Sequence, residues 1–513
     1  MKIMKYLVLA FMAFSLLSCE DDKINYRQPG ESVPIDIERE PGMNVVGRVT
    51  VDGRPRAGVV VSDGVNVVAT SDKGEYQMQS LDRQHLFVSV PADCQVPVEG
   101  GFCKFYKTID LSQDAAIQLN FDLASAPVKT DFTLLTLADV QIGTDTDISM
   151  LDDILANTGW KNYVASLTGN MIGISLGDIC WNAPAHYSTY RNRIAQLGVP
   201  MLSVIGNHDH DKGGTGDITT DKNYRDAMGP TYYSLNIGDW HIVALDDVLY
   251  TSHSDYAATI TDQQMAWLKE DLKYVDKSKS ILIGLHIPTI RRNSSGHVTN
   301  NHELYDLVKD YHQVQILSGH LHNNQHYDIA SNIRESSIGA VMGAWWNGMI
   351  CNDGSPRGYA LLNMSGNKVV NNKYYGCDTP EDYQIKIYLP AEATFRAGRV
   401  PGTIASPTDA QPRIRDDETL LINVFYWHTD WTVDVQVDGG SWTPIHPVRN
   451  ILDPRAVREL EYSNSWEQRP TSEPEKNCDH MFLYKPANKN WRTLNVRATD
   501  GYGNNYNASV NNE

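Results

Sequence analysis

The sequence is short of positive charge. Lys plus Arg number 44 against 63 Asp plus Glu, a formal net charge of −19. The basic footprint of a protein that binds nucleic acid in bulk is therefore missing. Cysteine is scarce, seven in 513 residues, and no CxxC occurs, so a zinc ribbon or a thioredoxin-type site has no support. No apolar run reaches the ~20 residues that cross a bilayer as a helix, which excludes a polytopic membrane protein. Internal repeats and long low-complexity tracts are absent as well. What remains is a globular composition, 41% hydrophobic and 21% charged. At roughly 150 residues per domain the length suits about three domains, with cores large enough to fold without disulfides.

The first segment reads as an address. Lys2 and Lys5 precede an apolar run from Tyr6 to Leu17, and Ser18-Cys19 follows. The run is too short to span and fits a secretory signal over residues 1–18. Leu16-Leu17-Ser18-Cys19 resembles a bacterial lipobox, which implies acylation of Cys19 and a membrane partner through that lipid; a plain signal peptide is the competing reading. Glu20-Asp21-Asp22-Lys23 resembles the acidic tag of surface-exposed lipoproteins in Bacteroidetes-type bacteria, or is a solvated tether. The expectation is an exported chain, lipid-anchored to the cell envelope at the outer membrane, with residues 19–42 as a flexible tether. Six cysteines remain in an oxidising compartment, so disulfides are allowed, with Cys94 and Cys103 the best local pair.

Three regions follow. Residues 43–127 show short β-branched runs split by turn signals such as Asp52-Gly53, resembling a carboxypeptidase-regulatory-like β-sandwich. Residues 128–376 alternate apolar runs with helical patterns, for example Met265, Leu268, Leu272 and Val275, or Leu304, Leu307, Val308 and Tyr311. That alternation predicts an α/β domain whose strands are buried on both faces. Residues 377–513 return to β alternation, with Asp438-Gly439-Gly440 as a hairpin turn, and predict a C-terminal β-rich domain.

The chemistry gathers at the ends of five apolar runs in the central region. DFTLLTLADVQ ends in Asp139 and Gln141, NMIGISLGD in Asp178, and VPMLSVIGNHD in Asn207-His208-Asp209. SILIGLH ends in His286, and VQILSGHLH in His320 and His322. In open α/β sheets, sites form beyond the carboxyl ends of strands, so five such ends bring these residues to one rim.

The order D-x-Q, G-D, G-N-H-D, H, G-H-x-H resembles the calcineurin-like metallophosphoesterase superfamily, and the flanking β modules resemble those of its secreted bacterial three-domain lipoproteins. The resemblance implies an α/β central domain, a four-layer β-sandwich flanked by helices, between N- and C-terminal all-β modules. It implies metal-dependent hydrolysis of phosphoric esters, monoester or diester, by a metal-bridging hydroxide acting on a small phosphorylated substrate. One divalent ion is held by Asp139, Gln141, Asp178 and His322, the other by Asp178, Asn207, His286 and His320. Asp178 bridges them; His208 stands over the phosphoryl group, and Asp209 orients its ring. Two divalent ions ~3.5 Å apart repel by roughly 19 kcal/mol at an effective dielectric of ~20, which a shared carboxylate and hydroxide offset.

Two departures from the family pattern carry information. Gln141 stands where D-x-H is usual, a harder oxygen ligand that tilts its position toward Mn, Mg or Ca. Trp181, three residues after Asp178, replaces the tyrosine that a tyrosinate–Fe(III) centre needs, leaving Mn, Zn or Fe(II) as candidates. Arg291 and Arg292 lie beside a substrate anion or in a solvated loop; Trp345 and Trp346 line the pocket or pack between domains. Asp246 or Asp247 accepts a hydrogen bond from a metal-bound histidine or lies at the surface. Cys351–Tyr359 is a turn closing the catalytic sheet. A competing function, surface ligand or glycan binding on a degenerate phosphoesterase scaffold, draws only on Gln141.

Overall fold

A computed structural model describes residues 35–393, 418–462 and 478–512, apart from positions 82–83, 113, 168–169, 253–254, 293–294 and 347. The leader, Cys19 and most of the expected tether lie outside the described residues. Two sheets form the centre. The first has seven strands, in the order Lys368–Gly376, Gly358–Ser365, Asp131–Leu137, Met171–Leu176, Met201–Val204, Phe102–Cys103 and Val98–Glu99. The second has six, in the order Tyr233–Ile237, Trp240–Ala244, Ser280–Gly284, Val314–Ser318, Ile333–Ser337 and Gln325–Ala330. Within each sheet the strands that end in the motifs are parallel to one another, so their carboxyl ends share an edge.

Alternation along each strand decides what it packs against. Leu134, Ile174, Leu176 and Val204 of the first sheet share one buried cluster with Ile242, Leu282, Ile283 and Leu317 of the second. Leu135, Leu137 and Met201 point the other way, into a cluster with Leu151, Ile154, Tyr190 and Ile194 from helices Asp145–Ala156 and Tyr187–Ile194. The predicted helical patterns form Asp262–Asp271, opened by Thr261, whose side chain accepts from the Gln264 N–H, and Asn301–Val308. Among the described residues no helix is long and apolar enough to cross a membrane.

The strand Phe102–Cys103 pairs with Met201, so the N-terminal region contributes to the central sheet. Three expectations change. The end of the tether is docked: Ile37 is buried, and the Asp36 carboxylate accepts from Gln118 Nε2 (2.7 Å) and Arg48 Nη1 (3.1 Å). Cys94, Cys103, Cys180, Cys351, Cys377 and Cys478 are all free thiols in buried surroundings. Cys94 sits in an isolated bridge to Ser125 while Cys103 belongs to a short strand and pairs with Val98, so the two are held by different elements. The C-terminal region holds two four-stranded sheets with a shared apolar core, but it also contains a helix, Pro454–Tyr462, which the alternation of its strands did not announce.

Candidate metal centre

The motif residues lie two to five positions beyond the ends of their strands, in sharp turns. Asp139, Gln141, Asp178, His320 and His322 all adopt positive φ, between 43° and 68°. Such backbone is costly for residues with a Cβ, and it clusters where surrounding structure must aim side chains at a common point. Gly206 permits one of these approaches, because a Cβ there would run into the Asp178 amide and carboxylate.

The side chains converge. Asp178, His286 and His320 offer three ligand atoms within 4.8 Å of one another. Asn207 Oδ1 lies 3.0 Å from His286 Nε2 and 2.9 Å from His320 Nδ1, and those two ring nitrogens are 3.2 Å apart. His286 Nδ1 donates to the Leu176 carbonyl at 2.8 Å, which leaves Nε2 with the lone pair in the neutral ring. Electron-rich atoms of Asp178, Asn207, His286 and His320 thus face one another, a donor set that suits a divalent cation. Beside it, His322 Nε2 lies 3.4 Å from Asp139 Oδ1. Gln141 Nε2 donates to Asp178 Oδ2 at 2.6 Å. Asp139 Oδ1 and Gln141 Oε1 are buried with no hydrogen-bond partner. Buried oxygens without a donor are rare, and these two stand where a second cation would take them as ligands.

The local field calls for positive charge. Burial opposes ionisation of Asp178, yet His286 and His208 hold its carboxyl far below the usual range. Burial likewise opposes charge on His286, but Asp178, with Asp139 and Asp247, pushes its pKa up to about 10. His320 goes the other way, lowered by burial and by the charges of His286 and Arg291.

His208 stands at the mouth of this group, but its orientation differs from expectation. Its Nδ1 lies 3.0 Å from Asn182 Oδ1, and its ring stacks on Trp181 with centroids 3.7 Å apart at 26°. Asp209 does not touch the ring. Its carboxylate accepts from the N–H groups of Ile179 (3.0 Å), Cys180 (3.0 Å) and Gly206 (2.9 Å). It therefore ties the Asp178 loop to the Asn207 loop, because three backbone donors out-compete one ring nitrogen for a buried acceptor. Burial, with the field of Asp178, pushes its pKa up to about 7. Burial lowers that of His208 to about 4.

The remaining candidates divide. Trp345 meets His322 edge-on at 4.7 Å and Trp181 at 4.5 Å, so it belongs to the rim. Trp346 is buried, donates to the Val140 carbonyl at 2.9 Å and packs in the helix-side core. Arg291 is half-buried and close enough for its charge to act on His320, whereas Arg292 is turned away into an ion pair with Asp479. Asp247 accepts from the backbone N–H of His286 (3.3 Å) and Ile287 (2.8 Å), so it supports the loop and not the imidazole. In the turn Cys351–Tyr359, Asp353 is buried and pairs with His480. Sequence reasoning missed Asn182, and it missed Tyr250, whose hydroxyl donates to the Asn207 carbonyl at 3.1 Å. Neither stands in a marked motif, and Tyr250 comes from a different hairpin, so no local signal pointed to it.

Family models match three consecutive stretches of the chain. These are the N terminal of Calcineurin-like phosphoesterase over residues 43–126, the Calcineurin-like phosphoesterase over 132–324, and its C terminal over 335–506. The chain belongs to the calcineurin-like phosphoesterase family. Members of this family use divalent metal ions. A curated relative from Synechococcus sp., named a probable cyclic nucleotide phosphodiesterase, is 27% identical over 146 residues, 27% of this chain and 52% of its own. The chain thus spans about half the length of that relative. Among solved structures, a dimetal phosphatase from Danio rerio is 15% identical, with 47% of this chain and 98% of that chain covered at a TM-score of 0.33. A purple acid phosphatase from yellow lupin is 12% identical, with 63% and 67% covered at 0.37. The scaffold reading is not favoured by these matches.

Proposed function

We propose that this calcineurin-like phosphoesterase hydrolyses small phosphoric esters, monoesters or diesters, at a centre of two divalent ions, with Mn, Zn and Fe(II) the candidates. The carrying observation is the meeting of Asp178, His286, His320 and Asn207, four side chains of metal-ligand type whose oxygen and nitrogen atoms converge on one point. Asp178 turns Oδ1 toward His286 Nε2 (3.3 Å) and Oδ2 toward Gln141 (2.6 Å), the disposition that a bridging carboxylate needs. One ion would be held by Asp139, Gln141, Asp178 and His322, the other by Asp178, Asn207, His286 and His320. The four-layer core and outer β modules expected from the sequence belong to the same proposal.

When bound, the ions supply an activated water as nucleophile and positive charge for the phosphoryl oxygens. The chain's own residues do the rest. With Nδ1 donating to Asn182, the neutral His208 ring presents Nε2 to the substrate as a proton acceptor. Trp181 limits rotation of that ring by stacking. Arg291 and Trp345, at the rim, meet the ester's substituent. Export with a lipid anchor at Cys19 is supported by the leader and lipobox-like residues.

Hydrolysis of p-nitrophenyl phosphate and bis-p-nitrophenyl phosphate with added Mn(II) or Zn(II) tests the proposal. Asp178→Ala is expected to lose metal and activity together, while His208→Ala keeps metal and loses rate. A wild-type chain inert toward both esters with metal demonstrably bound would overturn it.

A further inference from the structure

The C-terminal region carries a buried pair that the hydrolytic reading leaves unused. His480 immediately precedes the strand Met481–Tyr484, and it and its partner Asp353 each expose 1% of their side chains. His480 Nδ1 lies 2.7 Å from Asn423 Oδ1, and Nε2 3.1 Å from Asp353 Oδ2. The Asn423 amide nitrogen donates to the Asp353 carbonyl and to Asp453 Oδ2, both at 2.9 Å, which fixes its Oδ1 as an acceptor. Both ring nitrogens therefore donate, and the contact to Asp353 is charge-assisted.

On its other side Asp353 reaches the metal-ligand loop. Its Oδ2 also accepts from the N–H of Asn324, two residues beyond His322, at 2.8 Å. The neighbouring Asn352 donates its N–H to the His322 carbonyl at 2.9 Å and its amide to the Leu321 carbonyl at 3.2 Å. The turn around Asp353 thus grips residues 321–324 at three backbone atoms, and His480, Asn423 and Asp453 grip the turn from behind. Packing at the rear is tight: at Gly354, with φ of +80°, a Cβ would run into the Asp453 carboxylate.

Asp479, the residue before His480, makes the second contact. It pairs with Arg292, at side-chain exposures of 11% and 14%, and the Arg292 guanidinium lies 5.4 Å over the Tyr327 ring. Arg292 is six residues beyond His286 on the loop that leaves Ser280–Gly284. Two consecutive residues therefore hold two loops from different strands of the six-stranded sheet. One loop carries His286 and the other carries His320 and His322. Buried ion pairs are a poor source of net stability, and their best-attested use is to fix geometry.

We infer that Asp479 and His480 are positioning residues for the metal centre: they set the His286 loop against the Gly-His-x-His loop, so that the C-terminal region completes a site it does not line. The inference rests on the reading of that centre as a metal-dependent phosphoesterase site. Partners that support ligand residues from behind typically change metal affinity 10–100-fold when removed.

The test is Mn(II) titration of the full chain by calorimetry, with thermal unfolding of the metal-free protein and kcat and KM measured alongside. Asp479→Asn and His480→Leu are expected to weaken Mn(II) binding about tenfold or more and to lower kcat more than they raise KM. The double exchange Arg292→Asp with Asp479→Arg is expected to recover most of the affinity lost in Asp479→Asn. Arg497→Gln breaks a 3.0 Å pair with Asp434 in the other C-terminal sheet. It is expected to lower the melting temperature without moving Mn(II) affinity, which separates positioning from general loosening. If Asp479→Asn and His480→Leu fold and bind Mn(II) within twofold of wild type, the inference is overturned while the phosphoesterase reading stands. If His480→Leu does not fold, the partly exposed Arg292–Asp479 arm decides alone. A wild-type chain that binds no divalent ion would remove the metal centre itself, and the inference with it.

Discussion

Asn182 and Asp209 make different demands on the site, and two substitutions tell them apart. Asn182 Oδ1 accepts from the His208 ring at 3.0 Å, and Asn182 itself sits at φ 49°. Glycine tolerates that backbone, so Asn182→Gly removes the ring's partner without adding strain. One such hydrogen bond is worth ~0.5–1.5 kcal/mol. Since ~1.4 kcal/mol is tenfold in rate, kcat should fall about two- to tenfold, with Mn(II) affinity unchanged. The loss stays well below the ~10²–10⁴ expected for removing the ring altogether, because Trp181 still stacks on it at 3.7 Å. Asp209→Asn acts on the backbone. The carboxylate satisfies the N–H groups of Ile179, Cys180 and Gly206, and an amide brings one acceptor oxygen and an NH₂ that faces donors. Leaving one buried donor unsatisfied costs about 1–3 kcal/mol, so the urea midpoint should drop, and Mn(II) binding should weaken as the Asp178 and Asn207 loops slacken. The assay is kcat on bis-p-nitrophenyl phosphate at saturating Mn(II), with Mn(II) titration and urea unfolding on the same preparations. The reverse pattern would refute this assignment: Asn182→Gly silent in kcat, and Asp209→Asn slow with metal affinity and unfolding midpoint intact.

Gly206→Ala forces a Cβ into the Asp178 amide and carboxylate and should abolish Mn(II) binding; calorimetry showing wild-type affinity would contradict the packing. Burial opposes charge on His480, but Cys478 and Asp353 outweigh it and raise its pKa from 6.5 to about 10. Its contribution to stability is therefore complete below pH 6.5 and lost as pH rises through about 10. The wild-type melting temperature should fall across that window and the slope should flatten in His480→Gln; equal slopes would count against the buried pair. Trp346→Ala, in the core, should cost about 3–5 kcal/mol in urea unfolding, while Trp345→Ala should chiefly raise KM. Cys19→Ala should abolish acyl labelling and move the chain from the membrane to the soluble fraction; retention in the membrane would exclude the lipid anchor.

What could be read from the sequence was what neighbours in sequence determine. Asp178 and His320 follow buried strands directly, so an apolar run ending in a ligand type is a local signal, and parallel pairing brings the ends together without further information. Asp209 shows where that logic stops. Adjacent to His208 in the motif, it has its side chain on the opposite side of the turn, because Ile179, Cys180 and Gly206 present backbone donors there. Asn182 takes the ring because a positive φ swings its short amide back over the loop. Arg291 and Arg292 are equivalent as letters, and only the position of Asp479 in a distant region decides that Arg292 faces away. The pairing of Phe102–Cys103 with the central sheet has the same origin, since that strand is too short to announce which sheet it joins.

The net charge of −19 is no obstacle to an anionic substrate once the charges are placed. Only two of the seven proposed ligands, Asp139 and Asp178, are carboxylates; the others are neutral amides and imidazoles. Two carboxylates would not neutralise two divalent ions, so the centre proposed above would be positive when loaded even though the chain is not. Several acidic residues are committed to arginines elsewhere: Asp36 and Glu75 on Arg48, Asp328 and Asp430 on Arg334, and Asp479 on Arg292. Exposed charges more than a Debye length away, about 8 Å at physiological salt, are screened, whereas the buried site is not. Capture of a phosphoester by this family member should therefore depend weakly on ionic strength and strongly on metal loading. A steep loss of kcat/KM with added salt at constant metal occupancy would mean that surface charge, and not the centre, governs substrate capture.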